Sequence, residues 1–169
     1  MLGNEKIVTE IMLKMIEFSD GNIHDIDHFI RVWNYARIIG KYEMISEEEQ
    51  LILEIAALTH DIACPLCRIK YGNTNGKNQE IEGVVLVEKF LSDFSLSKEI
   101  KERIKYLVGH HHTFKNINNR EHQILIEADY IANASENNYS KANINNFIEK
   151  ICKTKSGKTL LKHIFQLIL

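Results

Sequence analysis

LILEIAALTHDIA, residues 51–63, is an apolar run that closes on a histidine and an aspartate. Ser46 and Glu49 just upstream read as a capping box, so the run is predicted as a helix with His60-Asp61 near its end. Desolvating an imidazole and a carboxylate at the end of a buried helix is costly unless something compensates them. A bound cation is the simplest compensation, because it satisfies the ring nitrogen and the carboxylate oxygen together. The doublet therefore points to a metal site, with His28 upstream and Asp129 downstream as companions.

Outward from this helix, apolar residues recur at helical spacing through most of the chain, and strand-like alternation is nearly absent. Ile7, Ile11, Met15 and Phe18 mark a first helix, ended by the turn residues Ser19-Asp20-Gly21-Asn22. A second is expected from about Asp27 to Tyr42, with Phe29, Val32, Trp33, Ala36 and Ile39 on one side. Residues 64–78, CPLCRIKYGNTNGKN, contain the one proline, Pro65, and read as the longest irregular stretch, of the kind that lines a site or moves. Helical pattern resumes from about Gln79 to Phe94. Ser97 with Ile100, Ile104 and Leu107 marks a helix ending near Gly109 and the triplet His110-His111-His112. HQILIEADYIANASE forms another, containing Asp129 within the helical run rather than at its cap. Two more are expected around Ser140 to Cys152 and Ser156 to Ile168. The expected fold class is all-α, a single-domain helical bundle with no internal repeat and no interdomain linker.

The 169 residues suffice for one domain with a hydrophobic core, and 44% hydrophobic with 26% charged residues is ordinary for a globular chain. With a net charge of -2 and no basic block, nucleic-acid binding through a broad cationic face is not favoured, which leaves room for a local phosphate pocket. MLGNEKIVTEIMLKMIEF alternates apolar residues with Glu and Lys, so it is not read as a signal peptide. No apolar stretch is expected to approach membrane-spanning length, HIFQLIL at the end included. The expected compartment is the cytoplasm.

Cys64, Cys67 and Cys152 do not make a secreted disulfide framework. Cys64-Pro65-Leu66-Cys67 has redox-motif spacing, but it follows a helix rather than a strand, and no second pair completes a zinc site. These thiols are read as small semi-buried groups around a turn. Ser156-Gly157-Lys158-Thr159 imitates the end of a phosphate-binding P-loop, yet the first glycine of that motif would fall at Cys152 and no strand precedes it. His24 and His122 lie near turns and are expected to be exposed. His163 sits on the last helix without an acidic partner nearby in sequence.

Four predicted helices thus deliver His28, His60-Asp61, His110-His111 and Asp129 from otherwise apolar faces. This ordered set, in the contexts HDIDHFIRVWNYA, LEIAALTHDIA and EADYIANA, resembles the HD-domain superfamily of metal-dependent phosphohydrolases. The resemblance covers residues from about 23 to 136 and leaves the last two helices as accessories. It implies that His28, His60, Asp61 and Asp129 hold one divalent cation. Two imidazoles and two carboxylates suit Mn, Fe, Co, Ni or Zn better than Ca.

Members with two metals bridge them through the aspartate of the doublet and usually add a histidine between the doublet and the later histidines. This chain has no histidine between His60 and His110. Glu82 falls about where that residue would lie, with Glu80 its nearest competitor, so a second metal would use Asp61, Glu82, His110 and His111. Phosphate also needs positive charge. Arg31 shares nearly one helix face with His28, and Lys77 stands beside Gly76 in the Gly/Asn-rich stretch; Arg68 and Lys70 rank behind them.

The resemblance implies a hydrolase that cleaves a phosphate ester or anhydride of a small soluble molecule, such as a nucleotide, with metal-activated water. Asp61 would be central to catalysis, and Asp129 or a histidine of the triplet, His110 or His111, would protonate the leaving group. Two other readings stand beside it: a diiron oxygenase, which needs a full second ligand set, and a non-catalytic module that binds a metal or a phosphorylated ligand.

Overall fold

Side-chain caps set most of the helix starts. The structure, a computed structural model, describes residues 2–167 and contains no strand among them. The order is α1 (Leu2–Phe18), α2 (Ile23–Tyr42), α3 (Glu47–Thr59), α4 (Cys64–Tyr71), α5 (Gly76–Leu91), α6 (Lys98–Val108), α7 (Arg120–Glu136), α8 (Lys141–Lys150) and α9 (Lys155–Ile164). The chain is an all-α, single helical domain.

The capping box before α3 is complete: Ser46 Oγ accepts from Glu49 N at 3.2 Å, and Glu49 Oε2 accepts from Ser46 N at 2.8 Å. Ser97 caps α6 through Ile100 N at 3.3 Å. α2 starts ahead of the expected Asp27 because Asn22 accepts from Asp25 N. α5 likewise starts at Gly76 rather than Gln79, since Asn75 accepts from Lys77 N, and it stops at Leu91 rather than Phe94. α8 ends at Lys150, short of Cys152. The predicted end of the last helix, Ile168, lies outside the described residues.

The expected loop at 64–78 is half helix. Pro65 stands in the first turn of α4, where its missing N–H costs nothing and its fixed φ favours helix. Gly72, at φ 68°, ends the helix in the left-handed conformation that glycine tolerates. Only the Asn/Gly-rich segment that follows is turn. The thiols of Cys64 and Cys67 are accordingly buried on α4 rather than placed around a turn, and all three cysteines are free. Burial and the charge of Asp61 push the Cys64 thiol up, which keeps it protonated and unlike a redox nucleophile.

α3 is the centre of the bundle. Every residue from Gln50 to Thr59 is buried, and the helix packs against α1, α2, α6 and α7. Each fully buried Leu or Ile there contributes about 1.5–3 kcal/mol. The stretch Glu47–Tyr71 contains an 18-residue window of mean hydropathy 1.3 and is in fact long and apolar enough to cross a membrane by composition, contrary to the sequence expectation. Its apolarity here serves the bundle interior, where 83% of the apolar window is buried. α7 is the second inner helix, lying against α2 and α3. α5 and α6 pair beside α3, α4 rests on α5, and α9 rests on α7, α2 and α8.

The Ser156–Thr159 segment opens α9, and what faces its N-terminus is a side chain of α7. The buried Glu127 carboxylate accepts from Lys153 N at 2.7 Å, Thr154 N at 3.0 Å, Gln123 Nε2 at 2.7 Å and the Thr154 hydroxyl. A Cβ at position 157 would collide with this carboxylate, so glycine is required by close approach. Removing the acceptor leaves the part-buried Lys153 N, Thr154 N and Thr154 hydroxyl without this partner. Glu127→Ala is expected to cost about 3 kcal/mol. That corresponds to a Tm lower by about 6–12 °C on thermal denaturation followed by circular dichroism; a change under about 2 °C would contradict this role.

Candidate metal centre

α3 ends at His60, its C-cap, whose backbone is still helical at φ −56° and ψ −40°, and Asp61 begins the turn toward α4. His60 is fully buried, while the Asp61 side chain keeps 27% of its exposure. α2 supplies His28 and α7 supplies Asp129, both buried. Their inward atoms converge. His28 Nε2 lies 3.2 Å from His60 Nε2, 3.2 Å from Asp129 Oδ1 and 3.5 Å from Asp61 Oδ2. His60 Nε2 lies 3.5 Å from Asp129 Oδ1 and 3.7 Å from Asp61 Oδ1.

The other ring nitrogens fix which atoms face inward. His60 Nδ1–H donates to Ala57 O at 2.9 Å and His111 Nδ1–H to Val108 O at 2.7 Å. A carbonyl only accepts, so in the neutral rings Nε2 carries a lone pair. His28 Nδ1–H donates to Glu136 Oε2 at 2.8 Å, and Asn133 Nδ2 donates to Asp129 Oδ1 at 2.7 Å. Asp129, Asn133 and Glu136 thus share one face of α7, at helical spacing.

Lone pairs and carboxylate oxygens this close need a positive species among them. Without an ion, a proton on His28 serves. Burial opposes its charge, but the bond to Asp129 and the charges of Asp61, Asp129 and Glu136 prevail, raising it from 6.5 to about 10. Burial likewise opposes ionisation of Asp61 and Asp129, yet the surrounding imidazoles hold both well below the usual carboxylate range. A single cation about 2.1 Å from each donor would space its ligands about 3.0–3.4 Å apart, close to the separations seen. His28, His60 and Asp61 can hold a metal ion, and Asp129 adds a fourth donor.

Asp61 also faces a second set. Its Oδ1 lies 3.3 Å from His111 Nε2, and both atoms are buried with no hydrogen-bond partner. Asp61, His111 and His112 form a further group able to hold an ion. Gln79 donates to Thr74 O at 2.7 Å, which turns its Oε1 toward His112 Nε2 at 3.1 Å. Glu80 Oε1 accepts from His112 N at 3.1 Å and from the Thr113 hydroxyl at 2.8 Å. Burial and the neighbouring His111 push the His112 imidazole down to about 4, so it is neutral near pH 7.

This arrangement corrects several sequence expectations. His110 stays out of the cluster: its ring stacks on Tyr106 at 4.1 Å, and Nδ1 bonds Tyr106 O at 2.7 Å. His112 takes the place expected for His110. Glu82 is turned away as well, bonded to Lys70 Nζ and Tyr71 Oη at 2.6 Å each. Lys77 is exposed and lies outside the cavity, and Arg31 pairs with Glu136 at 3.5 Å without lining the cavity itself. His122, expected on the surface, is buried, with Nε2–H donating to His110 O at 3.2 Å. His24 and His163 are exposed. The missed residues are His112, Glu136, Asn133 and Gln79. The i, i+4 and i+7 spacing from Asp129 was the available signal for two of them.

His28 and Asp61 lie on the wall of a cavity of about 280 Å³. Met15, Phe18 and Phe29 form an apolar side, and Asp25, Arg68 and His112 a polar one.

Three comparisons bear on what this chain resembles. The HD domain family matches residues 25–134. An uncharacterized protein of Acanthamoeba polyphaga mimivirus is 50% identical over 42 residues, which span 25% of this chain and 17% of that protein. The crystal structure of a predicted HD superfamily hydrolase from an uncultured Thermotogales bacterium superposes with a TM-score of 0.67 at 18% identity, covering 95% of this chain and 84% of that one. At that identity the likeness concerns the fold. With residues 25–134 matched and an HD-type fold around a His/Asp cluster that could hold a metal, the chain belongs to the HD domain family.

Proposed function

We propose that this protein is a metal-dependent phosphohydrolase that cleaves a phosphate ester or anhydride of a small soluble substrate, nucleotides among them. The observation that carries the reading is the convergence of His28, His60, Asp61 and Asp129 beside an open cavity. In this reading these four residues hold one divalent ion, drawn from Mn, Fe, Co, Ni and Zn as the mixed N/O donor set favours. Such an ion, when bound, lowers the pKa of water and polarises a phosphoryl oxygen. The cavity is near the lower end of the usual range of about 300–1,000 Å³ for ligand pockets, which favours a small substrate.

The chain's own groups do the rest. Glu136 and Ala57 O hold the two imidazoles by their Nδ1–H groups, and Asn133 fixes the Asp129 carboxylate. Asp61 faces the four-donor cluster with both oxygens and His111 with Oδ1, so it orients water at the cluster. In its charged form His111 keeps Nδ1–H on Val108 O and carries a second proton on Nε2, 3.3 Å from Asp61 Oδ1; the ring being fully buried, that proton reaches the leaving oxygen by way of Asp61. Burial opposes charge on that ring, but Asp61 outweighs it and raises the His111 pKa. One observation favours a two-ion variant: the unpartnered Asp61 Oδ1 and His111 Nε2, with His112 beside them. In that variant Asp61, His111 and His112 would hold a second ion, and a count of two ions per chain would replace one.

Phosphate release, screened across nucleotides, dinucleotides and sugar phosphates with Mn, Co, Ni, Fe and Mg supplied separately, is expected with at least one metal. Asp61→Ala, retaining its helical circular dichroism, is expected to lose at least about a hundredfold of that activity. Turnover equal in the variant and the wild type would sink the hydrolase reading.

A stability measurement follows from His28. Its folded pKa, about 10, lies above the ordinary 6.5. Its contribution is therefore full below pH 6.5 and is lost as pH rises through 10. The Tm of metal-free protein is expected to fall more steeply between pH 7 and 10 than that of His28→Gln, and saturating metal is expected to flatten the wild-type slope. Parallel slopes for wild type and variant would contradict it.

A further inference from the structure

We infer that Arg68 is the phosphate-binding residue of this cavity and that Asp25 competes with the substrate for it; the inference rests on the phosphohydrolase reading above. Among the residues lining the cavity, Arg68 is the one lysine or arginine, against the carboxylates of Asp25, Asp61 and Glu136. A phosphate dianion entering such a lining meets repulsion wherever a cation does not offset it. Arg31 sits behind the wall on Glu136, so the guanidinium that faces the cavity itself is that of Arg68.

Its position follows from helix geometry. Asp25 and His28 are three residues apart on α2, one turn along the same face, and both line the cavity. Cys64 and Arg68 are four apart on α4 and line it from the opposite helix. Asp25 and Arg68 therefore meet on the cavity wall, with Asp25 one helical turn, about 4.5 Å of rise, from His28.

The guanidinium is already engaged in a bidentate pair. Arg68 Nη1 donates to Asp25 Oδ2 at 2.8 Å, and Nη2 donates to Asp25 Oδ1. This fork is the same one that Arg presents to a phosphate. The Arg68 side chain is 39% exposed, so Asp25 can be displaced by an incoming anion without unpacking the core. Asp25 is itself held by Asn22 Nδ2 at 3.1 Å, which keeps the carboxylate in place when Arg68 leaves. The pair thus sets a threshold. Ligands with a doubly charged terminal phosphate, or with two adjacent phosphates, out-compete the carboxylate, whereas singly charged diesters and carboxylates do not.

The test is calorimetric titration of inorganic phosphate into manganese-loaded protein, with the manganese content of every sample measured alongside. Arg68→Ala is expected to weaken phosphate binding at least about tenfold with manganese content unchanged, and Arg68→Lys to recover part of it. Asp25→Asn, which keeps the size and the acceptor for Asn22, is expected to tighten phosphate binding about threefold or more, and this gain should vanish when combined with Arg68→Ala. A merely structural pair predicts the opposite, with both single variants weakening binding and lowering Tm together; that result would overturn the inference. Unchanged phosphate affinity in Arg68→Ala at full manganese content would overturn it too. A wild type that takes up no manganese, nor any other of the five metals, would remove the metal-site reading and this inference with it.

Discussion

Mutual repulsion among a few inward-facing atoms is the constraint on which this structure turns. Nε2 of His28 and His60 and the carboxylates of Asp61 and Asp129 stand 3.2–3.7 Å apart in a largely buried cluster. Nothing in α2, α3 or α7 would bring such groups together for packing alone, since each is expensive to desolvate. A positive species makes the arrangement favourable, and the outer hydrogen bonds fix its form. Ala57 O and Val108 O commit the Nδ1 protons of His60 and His111, leaving Nε2 to point inward. The backbone at helix ends therefore selects the tautomers that a metal needs.

The bundle is built to hold that set rigidly. α3 is buried along most of its length and ends on the doublet, so the position of His60 is fixed by core packing rather than by a loop. α7 does similar work from the other side, with Asp129 at its middle and Asn133 and Glu136 further along the same face. Its opposite side carries Glu127, which anchors the start of α9. The accessory C-terminal helix is thereby tied to the same helix that presents Asp129, so damage at Glu127 bears on the site through α7.

The all-α architecture and the four-residue set of His28, His60, Asp61 and Asp129 were legible because they depend on local periodicity and on polar residues breaking apolar faces. α4 was not legible, because proline reads as a breaker unless its place in the first turn is known. The second group was misread by one residue. A triplet of histidines gives no periodic signal, and which two face Asp61 depends on how α6 terminates at Gly109 and on the bonds from Glu80 and Gln79 to His112. Glu82 was misplaced for a related reason: α5 begins at Gly76, and its partners Lys70 and Tyr71 lie on a helix that was expected as loop. Arg68 ranked low for the same cause, since only the helical form of residues 64–71 puts it opposite Asp25.

The most direct test of the account is where a cation sits. Anomalous diffraction at the absorption edge of the bound metal, from crystals grown with the metal that supports turnover, is predicted to place a peak within about 2.0–2.3 Å of His28 Nε2, His60 Nε2 and a carboxylate oxygen of each of Asp61 and Asp129. A second peak on the His111 side of Asp61 would select the two-ion form. Density for metal elsewhere, with these four donors bridged only by protons or water, would contradict the account.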